Sequence, residues 1–538
     1  MRKTQKIKNQ SLPLYWIGEQ EQLTFDPSEL AKMILKNTET IFAIQTETGI
    51  GFTTQPTFTL AADGEISNVA AIAPAVLSDQ FGDPGFLRDY GVRAAYYAGA
   101  MANGIASTAM VIALGKAGFM GSFGSGGLSP ERIEKAIQEI QAVLPEGPYA
   151  FNLLNNPFEP AVERSTVDLY LKYNVKVVEA AAYIIPSESL VYYRVMGLSE
   201  NSDGSVQIGN RVIAKVSRRE VAGKFISPAP ERFLKRLLDK NLITPIQAAL
   251  ARRVPLADDI TAEADSGGHT DNRPLVCLLP SMLALRDELQ EKYQYSQPVR
   301  IGIGGGISTP ESVLAAFMMG AAYVVTGSIN HASIEAGTSD FTKQQLAKAA
   351  MTDVTMAPAA DMFEMGVNVQ VLKRGTMFAM RAKKLYDAYK TYNSIEEIPE
   401  KERQSFEKSI FKRSLDEVWA DTVAFFMDRD PSQIEKANQD PKKKMALIFR
   451  WYLGMASRWS CVGEKGRETD YQVWCGPAMG TFNDWVRGTY LEALETRHVV
   501  DMAEHLMRGC AYRYRLQNLQ TQGIRINQSL EAYHPNPL

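Results

Sequence analysis

Residues 300–328, RIGIGGGISTPESVLAAFMMGAAYVVTGS, decide the fold. A short apolar run, Arg300–Ile303, breaks into a glycine turn at Gly304, Gly305 and Gly306, and Thr309 with Pro310 supplies the N-cap and first position of a helix. The helix runs into a second apolar stretch, Ala322–Thr326, which closes on Gly327 and Ser328. Strand, glycine turn, helix, strand and glycine turn make one βα unit feeding the next. Backbone N–H groups in such loops, aimed by a helix N-terminus, form an anion site, and in a (β/α)8 barrel that site follows strands 7 and 8. A phosphate is therefore expected here. Gly304, Gly305 and Gly306 would let the backbone approach it, while Thr326, Gly327 and Ser328 would add donors from the next loop. Tight strand-to-helix packing without a ligand is the competing explanation.

Working outward, the same alternation recurs upstream. The runs Ala95–Met101, Gly118–Phe123, Tyr149–Leu153, Val175–Ala180, Arg211–Val216 and Asp259–Ala264 each read as a short buried strand followed by a helical stretch, which brings the count to eight. Eight βα units over about 240 residues match the size of an α/β TIM barrel, placed at 91–370, with its active site at the C-terminal strand ends. A doubly wound sheet concentrates its glycine fingerprint in the first turn, whereas here the glycine turns recur after the second, seventh and eighth strands. Residues 1–90 read as an N-terminal annex, with IFAIQTETGIGF and NVAAIAPAVL as strands. The composition from 371 to 475 turns charged and aromatic-studded, as expected of a helical cap or substrate domain, and 476–538 is expected to pack back on the barrel through a final helix near 499–517.

Bulk properties exclude several classes of function. The 538 residues exceed the roughly 250 at which one core stops growing. With 58 basic and 61 acidic residues the net charge is −3, so no global field recruits nucleic acid or an anionic membrane. Cys277, Cys461, Cys475 and Cys510 form no CxxC pair and no zinc-ligand spacing, which suits a reduced, metal-free cytoplasmic chain. The basic start MRKTQKIKNQ lacks the apolar core of a signal peptide, and stretches such as Ala315–Thr326 fall short of the ~20 residues that span a bilayer.

Other candidates lie at the ends of the expected strands. The AGAMANG loop at 98–104, with Ala100, Met101 and Asn103, would let a flat ring lie on backbone while Asn offers donor and acceptor to its edge; a tight turn without a ligand is the alternative. Asn152 occupies the corresponding place in YAFNL. Lys215, inside the apolar run RVIAKV, needs an anionic partner, either the negative N1/O2 edge of a reduced flavin or a carboxylate on a neighbouring strand such as Glu179. His269 follows Gly267 and Gly268 in EADSGGH, where a side chain that titrates near neutrality can transfer protons. His331 is its rival; His498, His505 and His534 read as bystanders.

Taken together, AGAMANGIAS, FMGSFGSGGLSPE, EADSGGH, GIGGGISTPE and VVTGS resemble the nitronate monooxygenase-like family of FMN barrels, which also contains flavin enoyl-acyl carrier protein reductases. FEMGVNVQVLKRGTMFAMRAKKLYDAY (363–389) and CGPAMGTFNDW (475–485) look like one branch, the stand-alone enoylreductases of polyunsaturated fatty acid synthases and trans-acyltransferase polyketide synthases. The resemblance implies bound FMN, NADPH as electron donor, and an enoyl thioester carried on the phosphopantetheine of an acyl carrier protein within a modular synthase. It carries a catalytic role over to His269, and a homodimer is compatible with it. A flavin oxidase on the same barrel and a silent carrier-docking scaffold are the alternatives. For docking, Lys442, Lys443 and Lys444 read as an exposed basic run on the cap.

Overall fold

The structure, a computed structural model, describes residues 14–60, 68–155 and 159–538, so the basic start of the chain lies outside the described residues. Eight parallel strands close a barrel: β1 (Tyr96–Ala98), β2 (Met120–Phe123), β3 (Ala150–Leu154), β4 (Val177–Ala181), β5 (Arg211–Val216), β6 (Asp259–Glu263), β7 (Arg300–Gly304) and β8 (Val324–Thr326), with β8 pairing back to β1. Each falls on an expected run, and the ends shift by a few residues where the run extends past the ladder. Nearly every strand residue is buried, because the helices cover the outer face and side chains fill the inner one. That is why the strands read as continuous apolar runs.

The barrel is a packed core. The Tyr97 hydroxyl lies 3.2 Å and the Tyr323 hydroxyl 3.0 Å from Thr261 Oγ1 inside it. Gly302 is glycine for this reason, since a Cβ there would run into the Tyr323 ring. The N-terminal end is closed by buried charge: Arg300 donates to both oxygens of Asp259 (2.6 and 2.9 Å) and to Asp89 (2.8 Å), and Arg194 pairs with Asp258 at 2.7 Å. These groups sit where the strands begin, remote from the barrel mouth.

The annex forms a three-stranded antiparallel sheet from Ile41–Thr46, Gly49–Thr53 and Val69–Ala73. The helix Val499–Thr521 packs on the barrel helix Pro310–Met318 and shares a core with the annex through Tyr512, Leu516 and Leu519. Arg515 fastens the two, donating to the carbonyls of Met33 (2.9 Å), Ile34 (2.7 Å) and Lys36 (2.9 Å) at the C-terminal end of the helix Pro27–Leu35.

Beyond the barrel, the strands Val354–Pro358 and Asn368–Leu372 pair with Gly268–His269 in a small antiparallel sheet. The helices that follow are built on Pro441–Val462, started by Asp440, whose carboxylate accepts from the N–H groups of Lys442 and Lys443, and ended by Gly463 at φ 72°. Asp470, fully buried, collects Arg381, Arg467, Lys412 and the Tyr452 hydroxyl. Arg429 reaches Glu159 in the loop after β3 at 2.6 Å, which ties this helical region to a loop at the barrel mouth. Among the described residues no helix is long and apolar enough to cross a membrane.

Candidate active site

The two glycine loops separate into different jobs. Gly304 ends β7 inside the barrel, where a Cβ would lie 3.3 Å from the Thr261 methyl, and a Cβ on Gly305 would strike the Ala264 backbone at 2.7 Å. Gly306, at φ 74°, and Gly327 face open space, with no atom within 4 Å of a Cβ position. The N–H groups of exposed Gly306 and of half-buried Gly327 and Ser328 donate to no oxygen of the described residues, so they are open to a partner from outside the chain. The helix Pro310–Met318 caps itself, with Thr309 accepting from the Ser312 N–H, so the open donors belong to the loops. Three open backbone donors thus stand in the loops after β7 and β8.

Two expected contributors point elsewhere. Thr326 is buried, its hydroxyl 2.6 Å from the Tyr96 hydroxyl and accepting from Asn330 Nδ2 at 2.9 Å, because the last residue of β8 faces the barrel wall. The Ser328 hydroxyl accepts from the Gly476 N–H at 2.9 Å, so the CGPAMG segment of the tail closes on this loop. In the first loop Asn103, at φ 61°, spends its Nδ2 on Ser457 Oγ of the long helix (2.8 Å) and not on the loop's open side. Ala100 donates its N–H to Glu179 Oε2 at 2.9 Å, and Met101, next to it, is half-buried. Asn152 donates to the Glu179 carbonyl at 3.1 Å, locking β3 to β4 beneath.

Lys215 and its neighbours form the charged floor. The ammonium lies 3.1 Å from Glu263 Oε1, and this carboxylate, one strand over on β6, is its partner in place of Glu179. In register Lys215 lies opposite Thr261, which puts Glu263 two residues further toward the mouth on the same face, while Glu179 lies level with Ile213, two residues below. Burial alone would depress the lysine, but Glu263 and Glu179 together hold its pKa above the usual value. Glu179 is fully buried; burial pushes its carboxyl up and Lys215 pulls it back only in part.

His269 stands beside this floor on a loop held from several sides. Gln370 donates to Asp265 Oδ1 and to the Ser266 carbonyl, both at 2.7 Å, and accepts from Asn272 at 3.0 Å. The Ser266 hydroxyl donates to Glu263 at 2.9 Å. Gly268, at φ 81° with nothing near its Cβ position, makes the turn that presents the ring. His269 Nε2 lies 3.1 Å from Asp361 Oδ1, and 31% of the His269 side chain stays open to solvent. Burial opposes the imidazolium, but Asp361 outweighs it and the histidine pKa stands above its ordinary value. The rival His331 is walled in, its Nδ1 3.2 Å from the Trp474 carbonyl, and burial pushes it down to about 4. It is neutral near pH 7 and unsuited to donating a proton.

Glu263, Asp361 and Gln370 escape the sequence reading. Glu263 ends the run DITAEA, where a polar residue at a strand end is a usable signal; Asp361 and Gln370 reach the site from about 90 and 105 residues downstream and carry none. The basic run Lys442, Lys443 and Lys444 is half-buried, not an exposed face. Lys442 lies over the Tyr389 ring at 5.1 Å, Lys443 pairs with Glu364 at 2.7 Å, and Lys444 lies over Trp419 at 5.4 Å. Three successive residues in a first helical turn point about 100° apart, so each meets a different neighbour. Two of these lysines line a cleft of about 700 Å³ with Glu364, Tyr389, Asn393 and Asp440, whose acidic content argues against a simple phosphate rim.

Comparison with known proteins places this geometry. The nitronate monooxygenase family model matches residues 96–397, more than half of the chain, and the model for the inserted helical domain of acyl-carrier-protein S-malonyltransferase matches residues 392–471. A polyunsaturated fatty acid synthase polypeptide of Thraustochytrium sp. is 50% identical over 84% of this chain and 30% of its own length. Polyketide biosynthesis protein PksE of Bacillus subtilis is 46% identical over 81% of this chain and 57% of its own length. The chain thus spans well under two thirds of these relatives. Among solved structures, the enoyl reductase domain of MlnA from the macrolactin biosynthesis cluster of Bacillus amyloliquefaciens is 41% identical, with a TM-score of 0.78, over 83% of this chain and all of that one.

Proposed function

The chain belongs to the nitronate monooxygenase family, and from that membership we propose that it is an FMN-dependent enoyl reductase that saturates the α,β double bond of a thioester carried by an acyl carrier protein. NADPH is the proposed reductant, and a polyketide or polyunsaturated fatty acid synthase the proposed setting. The observation that carries the reading is a set of strand-end loops and side chains that combines open backbone N–H groups, a half-buried lysine paired with Glu263 and a partly exposed histidine. Its likeness to the MlnA enoyl reductase domain and to synthase polypeptides supports the choice of substrate.

The donor set fits FMN. Gly306, Gly327 and Ser328 would hold the single phosphate by backbone N–H groups, and the small-residue loop at Ala100 and Met101 would support the ring. Lys215 would face the ring edge that turns negative on reduction, and one cradle suits one phosphate better than the diphosphate of FAD. When bound, FMN supplies the two-electron chemistry. The chain's own part is to exclude water beneath the helical cap, to hold the thioester over the mouth, and to bring a proton to its α-carbon. His269, whose protonated form Asp361 favours and whose side chain is open on one side, is the group proposed to deliver that proton. Matching of residues 392–471 to a helical domain of an acyl-carrier-protein transferase supports carrier reception by the cap.

The test is to identify the flavin released from gently purified protein, then to let the NADPH-reduced protein choose between a crotonyl thioester and oxygen with a nitronate. About one FMN per chain and preference for the thioester are expected. FAD, or preference for the nitronate, would move the chain to the oxidase reading that the family name also allows.

A further inference from the structure

We propose that Asp361 is a positioning residue, which fixes the tautomer and holds the charge of His269 so that Nδ1–H is the proton-bearing face presented to substrate. This rests on the enoyl reductase reading of the site. Asp361 Oδ1 lies 3.1 Å from His269 Nε2, so one ring nitrogen is committed to the carboxylate and only the other is free. The two residues are 92 positions apart and are brought together by the small sheet, in which His269 pairs with Val369 on the strand that follows Asp361. The carboxylate is kept ionised in its turn. Burial would raise it, but His269 and then the Arg450 guanidinium of the long cap helix hold its pKa below the usual range. Arg450 also donates to Glu364 at 3.3 Å, and Glu364 pairs with Lys443 at 2.7 Å, so the support of His269 extends into the cap.

The groups that act on His269 are Asp361 and Glu263, which favour its charged form, and Lys215, which opposes it. Lys215 is itself paired with Glu263 and the two oppose each other at the ring, where Asp361 is the largest of the charges acting. In the step assigned to it, His269 gives its Nδ1 proton to the α-carbon as the β-carbon gains the two electrons and hydrogen supplied by the cofactor. The ring is left neutral with Nε2–H still donated to Asp361, and solvent restores the proton. Without the carboxylate the neutral ring is free to carry its proton on either nitrogen, and it loses charge at a lower pH.

The experiment uses full-length holoenzyme labelled with 15N-histidine, in which the His269 signals among five histidines are identified by their loss in His269→Gln. In the wild type His269 should titrate above 6.5 and, when neutral, show Nε2 protonated. Asp361→Asn should move the titration down by at least one unit, which leaves roughly ten-fold less protonated ring at pH 8. The rate of the enoyl half-reaction should fall by about the same factor there and recover at low pH, and Asp361→Glu should restore both titration and rate. A wild-type His269 titrating at or below 6.5, or an unmoved titration in Asp361→Asn, overturns the proposal, and the wild-type arm stands even if the variant fails to fold. These resonances report on Asp361 whether or not any thioester is reduced, so inactivity of the wild type toward thioesters would sink the enoyl reductase reading alone.

Discussion

Replacing Lys215 with methionine tests the charged floor of the barrel, because it removes the cation and leaves Glu263 and Glu179 uncompensated on one buried face. At an effective dielectric of about 20, a pair 3.1 Å apart attracts by roughly 5 kcal/mol. Breaking a buried pair costs about 3–5 kcal/mol, and since 24% of the lysine side chain remains exposed the lower end, ~3 kcal/mol, is expected. For a unit the size of the barrel this is a fall of roughly 5 °C in its melting transition. The loss should depend on pH. Glu179 already titrates above its ordinary 4.5 in the folded chain, and a carboxyl so raised stabilises the fold below 4.5 and loses that contribution as pH rises through the folded value. Removing Lys215 raises it further, so the gap between variant and wild type should be small near pH 4.5 and widest at pH 7–8. Lys215→Met/Glu263→Gln should recover part of the loss. Thermal melts of flavin-free protein across this range provide the assay. A gap that does not change with pH, or a double variant as unstable as the sum of the single ones, would refute the electrostatic argument.

The glycine loops can be separated by two substitutions: Gly306→Ala should release FMN while leaving the flavin-free melt within about 1–2 kcal/mol of wild type, whereas Gly302→Ala, which drives a methyl into Tyr323, should destabilise the barrel itself. Flavin retention on gel filtration and thermal melts read the two effects. Arg515→Met should cost about 2–3 kcal/mol and speed hydrogen exchange between residues 27 and 39, where the guanidinium now bonds carbonyls. Asp470→Asn should loosen the helical region selectively, since three cations and a tyrosine share that buried carboxylate; limited proteolysis should then cut within 400–470 before it cuts the barrel.

Much of the barrel was legible because its strands are buried on both faces. Runs such as RVIAKV and DITAEA therefore stand out, and their spacing by helices leaves few topologies to choose from. The sequence could also locate the loops after β7 and β8, the first of them because the left-handed turn at Gly305 and Gly306 demands glycine. It could not say where a side chain in those loops would point. Thr326 belongs to the same VVTGS motif as Gly327, yet it faces the wall because it is still in the strand. Asn103 turns to Ser457, more than 350 residues away in the chain, and no local pattern encodes that meeting. The same holds for Asp361, whose partner is set by a three-stranded sheet assembled from separate segments. The lysines at 442–444 show the converse failure, in which a run that looks solvated is divided among three different neighbours by helical geometry.

The most direct test of the account is an anaerobic single turnover in which NADPH-reduced holoenzyme, freed of excess NADPH, is mixed with crotonyl thioester on phosphopantetheine while flavin absorbance and butyryl product are followed together. One butyryl thioester should form per flavin reoxidised. His269→Ala should slow this step by roughly 10²–10⁴-fold without a matching loss in reduction by NADPH. Flavin that stays reduced in the presence of the thioester, yet reoxidises promptly when oxygen and a nitronate are admitted, would contradict it.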